Sequence, residues 1–306
     1  MTAPPDLSVR IGAIRMKNPV MVASGTFGYG PEYADLVDLN ELGAIVVKGI
    51  GVNPTRGNPT PRTAEVESGL LNAIGLPNPG FEGFVGEYMP FLRKYDVPVI
   101  VNIWGRTLEE YADIAERFDG VAGVAGLEVN VSCPNIKEGS GLFGTDLDMF
   151  RQVVARVRER TRLPVIPKLA PNVSDIAAYA RVAEDEGADA ISLINSFPAM
   201  GIDVKTRRPK LANVTGGLSG PAIRPIAVRL VWQAAQAVDI PVIGIGGITC
   251  ANDALEFILA GATAVAVGTA NFTQPSTALD VAQGLSEYLV RHGLDRLDSI
   301  VGAVEL

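Results

Sequence analysis

Cys133 stands in NVSCPN (130–135), directly after an apolar run and before a proline that forces extended backbone. A thiolate there can act as a proton base if its surroundings lower its pKa from about 8.5. The single histidine, His292, is near the C-terminus. A papain-like Cys–His dyad is therefore not expected, nor is any mechanism needing both a His base and a His ligand. Cys250, in GGITCAND, reads as structural. Two lysines interrupt apolar runs: Lys48 in AIVVKG and Lys168 in PVIPKLA. A buried ammonium needs an anionic partner. An internal ion pair would satisfy it, and so would a bound carboxylate or a developing charge. Lys168 could also form a Schiff base with a carbonyl substrate. Asn102, Asn130 and Asn195 all end apolar runs, although Asn is disfavoured in strands. A ring of amides offers donors and acceptors to a heterocycle edged with C=O and N–H groups.

Glycines supply a different chemistry. GIGGI (244–248) and VGTAN (267–271) place them where an apolar run meets the next helix, and TGGLSGP (215–221) adds a third glycine-rich turn. Such turns let backbone N–H groups approach a phosphate. No G-x-G-x-x-G follows a strand; GTFGYG has its glycines at 25, 28 and 30. A Rossmann dinucleotide site is unsupported, and a mononucleotide cofactor or a sugar phosphate fits better.

These residues need a scaffold that gathers them. Eight Val/Ile-rich runs recur: 18–24, 44–49, 98–104, 127–132, 164–170, 190–195, 241–247 and 264–269. They lack polar alternation, as expected of strands covered on both faces of a parallel sheet. Helical periodicity fills the gaps at 107–118, 146–161 and 174–188, the last with Ser174 as N-cap and Gly187 at its end. The pattern predicts a (β/α)8 barrel, one domain over residues 1–306, against a rival of two α/β domains. Residues 50–79 and 195–220 follow strand ends, so they are expected as long loops over the C-terminal mouth, where barrels keep their chemistry. In that frame the turns after strands seven and eight are the usual phosphate site.

Composition narrows the classes. The chain has 306 residues and a formal charge of −8, which argues against a nucleic-acid partner. No apolar run approaches the roughly 18 residues of a membrane span. MTAPPDLSVR lacks the pattern of a secretory signal, so a cytoplasmic location is expected. Two cysteines cannot hold an iron–sulfur cluster, which takes about four, and no metal site is expected.

The chain resembles the dihydroorotate dehydrogenases, in particular their class 1B catalytic subunits. The resemblance runs from about residue 7 to 291. It rests on MVASGTFGYG (21–30), VVKGI (46–50), GNPTPRTAE (57–65), LLNAIGLPNPG (70–80), NVSCPN (130–135), KLAPNV (168–173), ANVTGGLSGPAIRPIA (212–227), IGIGGI (243–248) and VGTANF (267–272). It implies one FMN at the barrel mouth, held by Ser24, Lys48, Gly49, Asn102, Asn130, Lys168 and Ile194. Gly220, Gly246, Gly247, Gly268 and Thr269 complete that set, the last four at the phosphate. It also implies that dihydroorotate meets Lys48, Asn72, Ala73, Ile74, Gly75, Leu76, Asn130, Asn135, Asn195 and Ser196, with Cys133 as base. Oxidation to orotate, in pyrimidine synthesis, would take a proton from C5 and pass hydride from C6 to flavin N5.

Class 1B members hand the electrons to a partner subunit carrying FAD and a [2Fe–2S] cluster, which reduces NAD+. A heterotetramer around a homodimer core is the implied assembly. A fumarate-reducing class 1A-like enzyme, a related pyrimidine dehydrogenase and a Schiff-base lyase using Lys168 are the alternatives. Two places depart from the family. Trp104 replaces a small residue and is large enough to reshape a flavin-side pocket. Ser196 stands where Thr is usual, and Phe197–Pro198 after it could stiffen a lid.

Overall fold

A computed structural model describes residues 4–131 and 143–305. Eight parallel strands close into a barrel: β1 Val20–Val22, β2 Ala44–Ile50, β3 Val99–Ile103, β4 Val124–Asn130, β5 Val165–Leu169, β6 Ile191–Leu193, β7 Val242–Ile245 and β8 Ala264–Val267. Each pairs with its neighbour in sequence, and β8 pairs with β1. The eight apolar runs are these strands.

Six helices pack outside: α1 Leu108–Phe118, α2 Leu147–Arg160, α3 Ile176–Asp185, α4 Arg224–Ala235, α5 Ala251–Leu259 and α6 Thr277–His292. A shorter helical stretch, Gly80–Leu92, precedes β3. Between β1 and β2 there is only a 3₁₀ turn, Leu39–Glu41. Asp175, rather than Ser174, caps α3, because its carboxylate accepts from the Ala178 N–H. Among the described residues no helix is long and apolar enough to cross a membrane.

Alternation along each strand divides the side chains. One set faces the helices, where Val101, Leu127 and Val129 join Phe118, Phe150 and Val154. The other fills the barrel. Its lower layers are apolar: Met21, Val46, Ile100, Ile166, Ile243 and Ala264. An N-terminal hairpin, Val9–Ile11 paired with Ile14–Met16, closes that end with Ile11, Ile14 and Met16. Gly126 of β4 makes room for the hairpin, since a Cβ there would lie 2.8 Å from Ile14 Cδ1.

The segments expected as loops over the mouth are largely sheet. Thr63–Val66, Gly69–Asn72, Thr215–Ser219 and Phe197–Met200 form a four-stranded antiparallel sheet. Phe197 and Pro198 belong to it. Backbone groups over a barrel mouth need partners, and two long excursions supply them to each other. TGGLSGP is accordingly a strand as far as Ser219, and only Gly220 turns, at φ +97°.

Candidate active site

On β3 and β5 the inward-facing apolar series turns polar above the floor. β3 goes from Ile100 to Asn102, and β5 from Ile166 to Lys168. Together with Glu128 and Ser192 they form a buried polar layer. Glu128 Oε1 accepts from Asn102 Nδ2 at 2.6 Å and pairs with Lys168 Nζ at 3.4 Å, while Oε2 accepts from Ser192 Oγ at 3.0 Å. Lys168 Nζ also reaches Ser24 Oγ, at 3.5 Å. Sheet register makes the layer: Asn102 lies opposite Glu128, and Lys168 opposite both Asn130 and Ser192.

Lys48 continues the inward face of β2, two residues after Val46. The pairing of β2 with β3 shifts between Val47 and Ile50, and Ile50 packs with the outer core. Lys48 is half-buried, and its Nζ forms no hydrogen bond or ion pair among the described residues. Burial holds its pKa below the ordinary lysine value, with Glu32 pulling it up and Arg62 pushing it down. Gly49, next to it, allows Asn102 close: a Cβ there would stand 2.8 Å from Asn102 Oδ1.

Above this layer a cleft opens at the C-terminal ends of the strands. Ser24, Lys48, Asn102, Asn130, Lys168, Ile194, Gly220, Gly246, Gly247, Gly268 and Thr269 line it, as do Asn72, Ile74, Gly75, Leu76, Asn195 and Ser196. Gly49 and Ala73 do not line it. Gly49 lies behind Asn102, and Ala73 is buried under the mouth sheet with Leu71 and Leu211. Cys133 and Asn135 lie outside the described residues. Cys250 is exposed at the N-cap of α5, away from the cleft.

One wall is made of amides. Asn130 Oδ1 accepts from Asn195 Nδ2 at 3.1 Å, and Tyr111 Oη donates to the Asn130 carbonyl at 2.7 Å. Asn72 Nδ2 donates to the Gly217 carbonyl at 3.2 Å. Gly217 must be glycine, because a Cβ would fall 1.9 Å from Ser196 Oγ.

The opposite wall is backbone. Gly246 and Gly247 have φ of +141° and +70°, and a Cβ on Gly247 would lie 2.8 Å from the Gly220 carbonyl. Thr269 Oγ1 donates to Ser219 Oγ at 2.8 Å, joining two of the three turns. An ion pair of Arg224 with Asp253 ties α4 to α5 behind them. Burial disfavours the charge on Asp253, but hydrogen bonds from Thr249 Oγ1 and N, with Arg224 beside it, hold the carboxyl below the usual range.

Trp104 is not part of either wall. Its ring lies behind the strand, 3.0 Å from where a Gly51 Cβ would be, with the Arg106 guanidinium over it at 5.4 Å. The large side chain is accommodated by two glycines, Gly49 and Gly51, rather than by the cleft. Among the residues that reading the sequence missed are Glu128 and Ser192 in the buried layer and Thr26, Ser219 and Phe272 in the lining. Glu128 carried a signal: a carboxylate inside an apolar run is the same anomaly as the two lysines.

The cleft suits a flavin that carries a phosphate on two structural grounds. Three positive-φ glycines with no room for a Cβ leave one wall as bare backbone, and Lys48 presents a half-buried cation with no bonded partner among the described residues.

Comparison with known proteins places the chain. The family model described as dihydroorotate dehydrogenase matches residues 6–289. A protein of Geotalea daltonii named dihydroorotate dehydrogenase B (NAD(+)), catalytic subunit, is 56% identical over 304 residues, 99% of this chain and 100% of that one. Proteins of the same name from Geotalea uraniireducens and Geobacter sulfurreducens are 57% and 56% identical, each covering 98% or more of both chains. The match covers the barrel, the mouth sheet and both walls of the cleft, so the chain belongs to the dihydroorotate dehydrogenase family.

Proposed function

We propose that the chain is the catalytic subunit of an NAD+-linked dihydroorotate dehydrogenase that oxidises dihydroorotate to orotate. The observation that supports this best is the division of one cleft into an amide-and-lysine wall and a glycine wall. The first suits a ring bearing C=O, N–H and a carboxylate; the second suits a phosphate. Bound FMN supplies an acceptor for the two electrons of the C6 hydride. It would be held by Ser24, Asn102, Lys168 and Ile194 along its ring, and by the Gly220, Gly246–Gly247 and Gly268–Thr269 turns at its phosphate. Asn102 gives its Nδ2 to Glu128, which leaves Oδ1 as an acceptor for a ring N–H. Asn130 has its Oδ1 engaged by Asn195, which leaves Nδ2 as a donor. Lys48 pairs with the substrate carboxylate, and Asn72, Asn195 and Ser196 hold the ring's polar edge. Cys133, as thiolate, takes the C5 proton.

Electrons leave through a separate subunit that carries FAD and a [2Fe–2S] cluster and reduces NAD+. The chain itself offers no Rossmann fingerprint and too few cysteines for a cluster. A Schiff-base lyase is disfavoured by the ion pair of Lys168 with Glu128, since an ion-paired ammonium has no lone pair for attack on a carbonyl. Anaerobic mixing with dihydroorotate tests the reading: the flavin's visible absorbance should bleach, and NAD+ with the partner subunit should restore it. Borohydride trapping of a keto substrate on Lys168, with no bleaching, would replace it by the lyase. Cys133→Ser should keep FMN, slow the bleaching and move its pH optimum upward, because a hydroxyl is a far weaker acid than a thiol of pKa about 8.5.

A further inference from the structure

Glu128 is the one buried carboxylate in the layer directly beneath the cleft, 3% exposed, and it does not line the cleft itself. Its oxygens gather Asn102, Lys168 and Ser192. Two of these three, Asn102 and Lys168, do line the cleft. A buried ion pair is a poor source of stability, since apolar residues of similar volume do as well or better. Here the same strands already carry apolar residues one layer lower, Ile100 and Ile166. A charge at this level therefore needs a reason in the cleft.

We propose that Glu128 is a positioning residue that sets the electrostatics of the redox group: it cancels the charge of Lys168, so that the cleft presents a neutral pair. The proposal rests on the FMN reading. In a low-dielectric site a net charge next to a ring that gains electrons changes how readily it is reduced. The pair Glu128–Lys168 carries no net charge in the wild type. It carries +1 in Glu128→Gln, −1 in Lys168→Met, and none in the double variant. A cation favours electron uptake and an anion opposes it.

The experiment is a spectroscopic redox titration of the four proteins, each reconstituted with saturating FMN. The midpoint potential should rise in Glu128→Gln, fall in Lys168→Met, and lie between those two in the double variant. Thermal denaturation is recorded alongside. If Glu128 only braces the barrel, Glu128→Gln melts lower while its potential stays at the wild-type value, and the proposal is overturned. A potential that falls in Glu128→Gln overturns it as well. Should Glu128→Gln not fold, the double variant decides against Lys168→Met: a higher potential in the double supports the proposal and an equal one sinks it. A wild-type chain that takes up no flavin fails the FMN reading itself, whereas flavin-loaded variants with unmoved potentials fail only the role of Glu128.

Discussion

The two ends of the barrel are built from the same strands by opposite rules. At the N-terminal end the inward residues are apolar and the hairpin Val9–Met16 seals them with Ile11, Ile14 and Met16. At the C-terminal end, one alternation later, the inward residues include Asn102, Glu128, Lys168 and Ser192, and the covering sheet leaves a cleft open. The lower end contributes the stability that lets the upper end carry buried charge. Glycine shows the contrast in miniature: Gly126 admits the hairpin below, whereas Gly247 keeps backbone bare above.

The sharpest way to break this comparison is to put a charge in the floor. Ile166 is 1% exposed, two residues before Lys168 on the same strand face. Ile166→Asp would bury a carboxylate with no cation among its apolar neighbours and should cost more than about 4 kcal/mol, leaving little folded chain by urea denaturation. Lys168, a charge one layer up, has Glu128 to answer it at 3.4 Å.

Gly247→Ala comes next. The left-handed backbone costs a side chain roughly 1–2 kcal/mol, and the new Cβ meets the Gly220 carbonyl. FMN affinity, by fluorescence titration of the flavin-free protein, should fall by at least about tenfold, which corresponds to about 1.4 kcal/mol. Gly126→Ala should instead lower thermal stability, by roughly 1–3 kcal/mol of overpacking, with FMN affinity unchanged. Equal loss of affinity in both variants would erase the distinction between the two ends.

Lys48 gives a smaller, pH-dependent effect. Its folded pKa is lowered chiefly by burial. A substrate carboxylate pairs only with the ammonium, so affinity is full at low pH and declines as pH rises through that lowered value. The break in orotate affinity should therefore come below the 10.5 of an ordinary lysine. Lys48→Arg should remove the break from the accessible range, since a guanidinium stays charged above about pH 12. The smallest effect is expected at Val214, an exposed β-branched residue at φ +67° in the turn before the mouth sheet. Val214→Gly should raise stability by a few tenths to about 1 kcal/mol in thermal denaturation, since relief of the strained φ is partly offset by glycine's freedom in the unfolded chain.

Much of the barrel was legible because its signals are local. A run such as PVIPKLA is apolar enough to demand cover on both faces, whatever surrounds it. Glycine turns after β7 and β8 were legible for the same reason: where the chain needs a bare backbone, the residue type says so. The mouth sheet was not legible, because Thr63–Val66 and Phe197–Met200 become strands only by pairing across long sequence separations. Trp104 misled in the same way. Its size is written in the sequence, but the space made for it by Gly49 of β2 and Gly51 just beyond that strand is not.

What the amino-acid order determined alone is the succession of strands, the anomalous lysines and asparagines within them, and the positions of bare backbone. Each depends on a residue and its immediate neighbours. Only the closed sheet decided that Glu128 would stand between Asn102, Lys168 and Ser192, and that Gly49 and Ala73 would be support rather than lining. Those facts depend on the stagger between neighbouring strands, which closing the barrel fixes for all of them together.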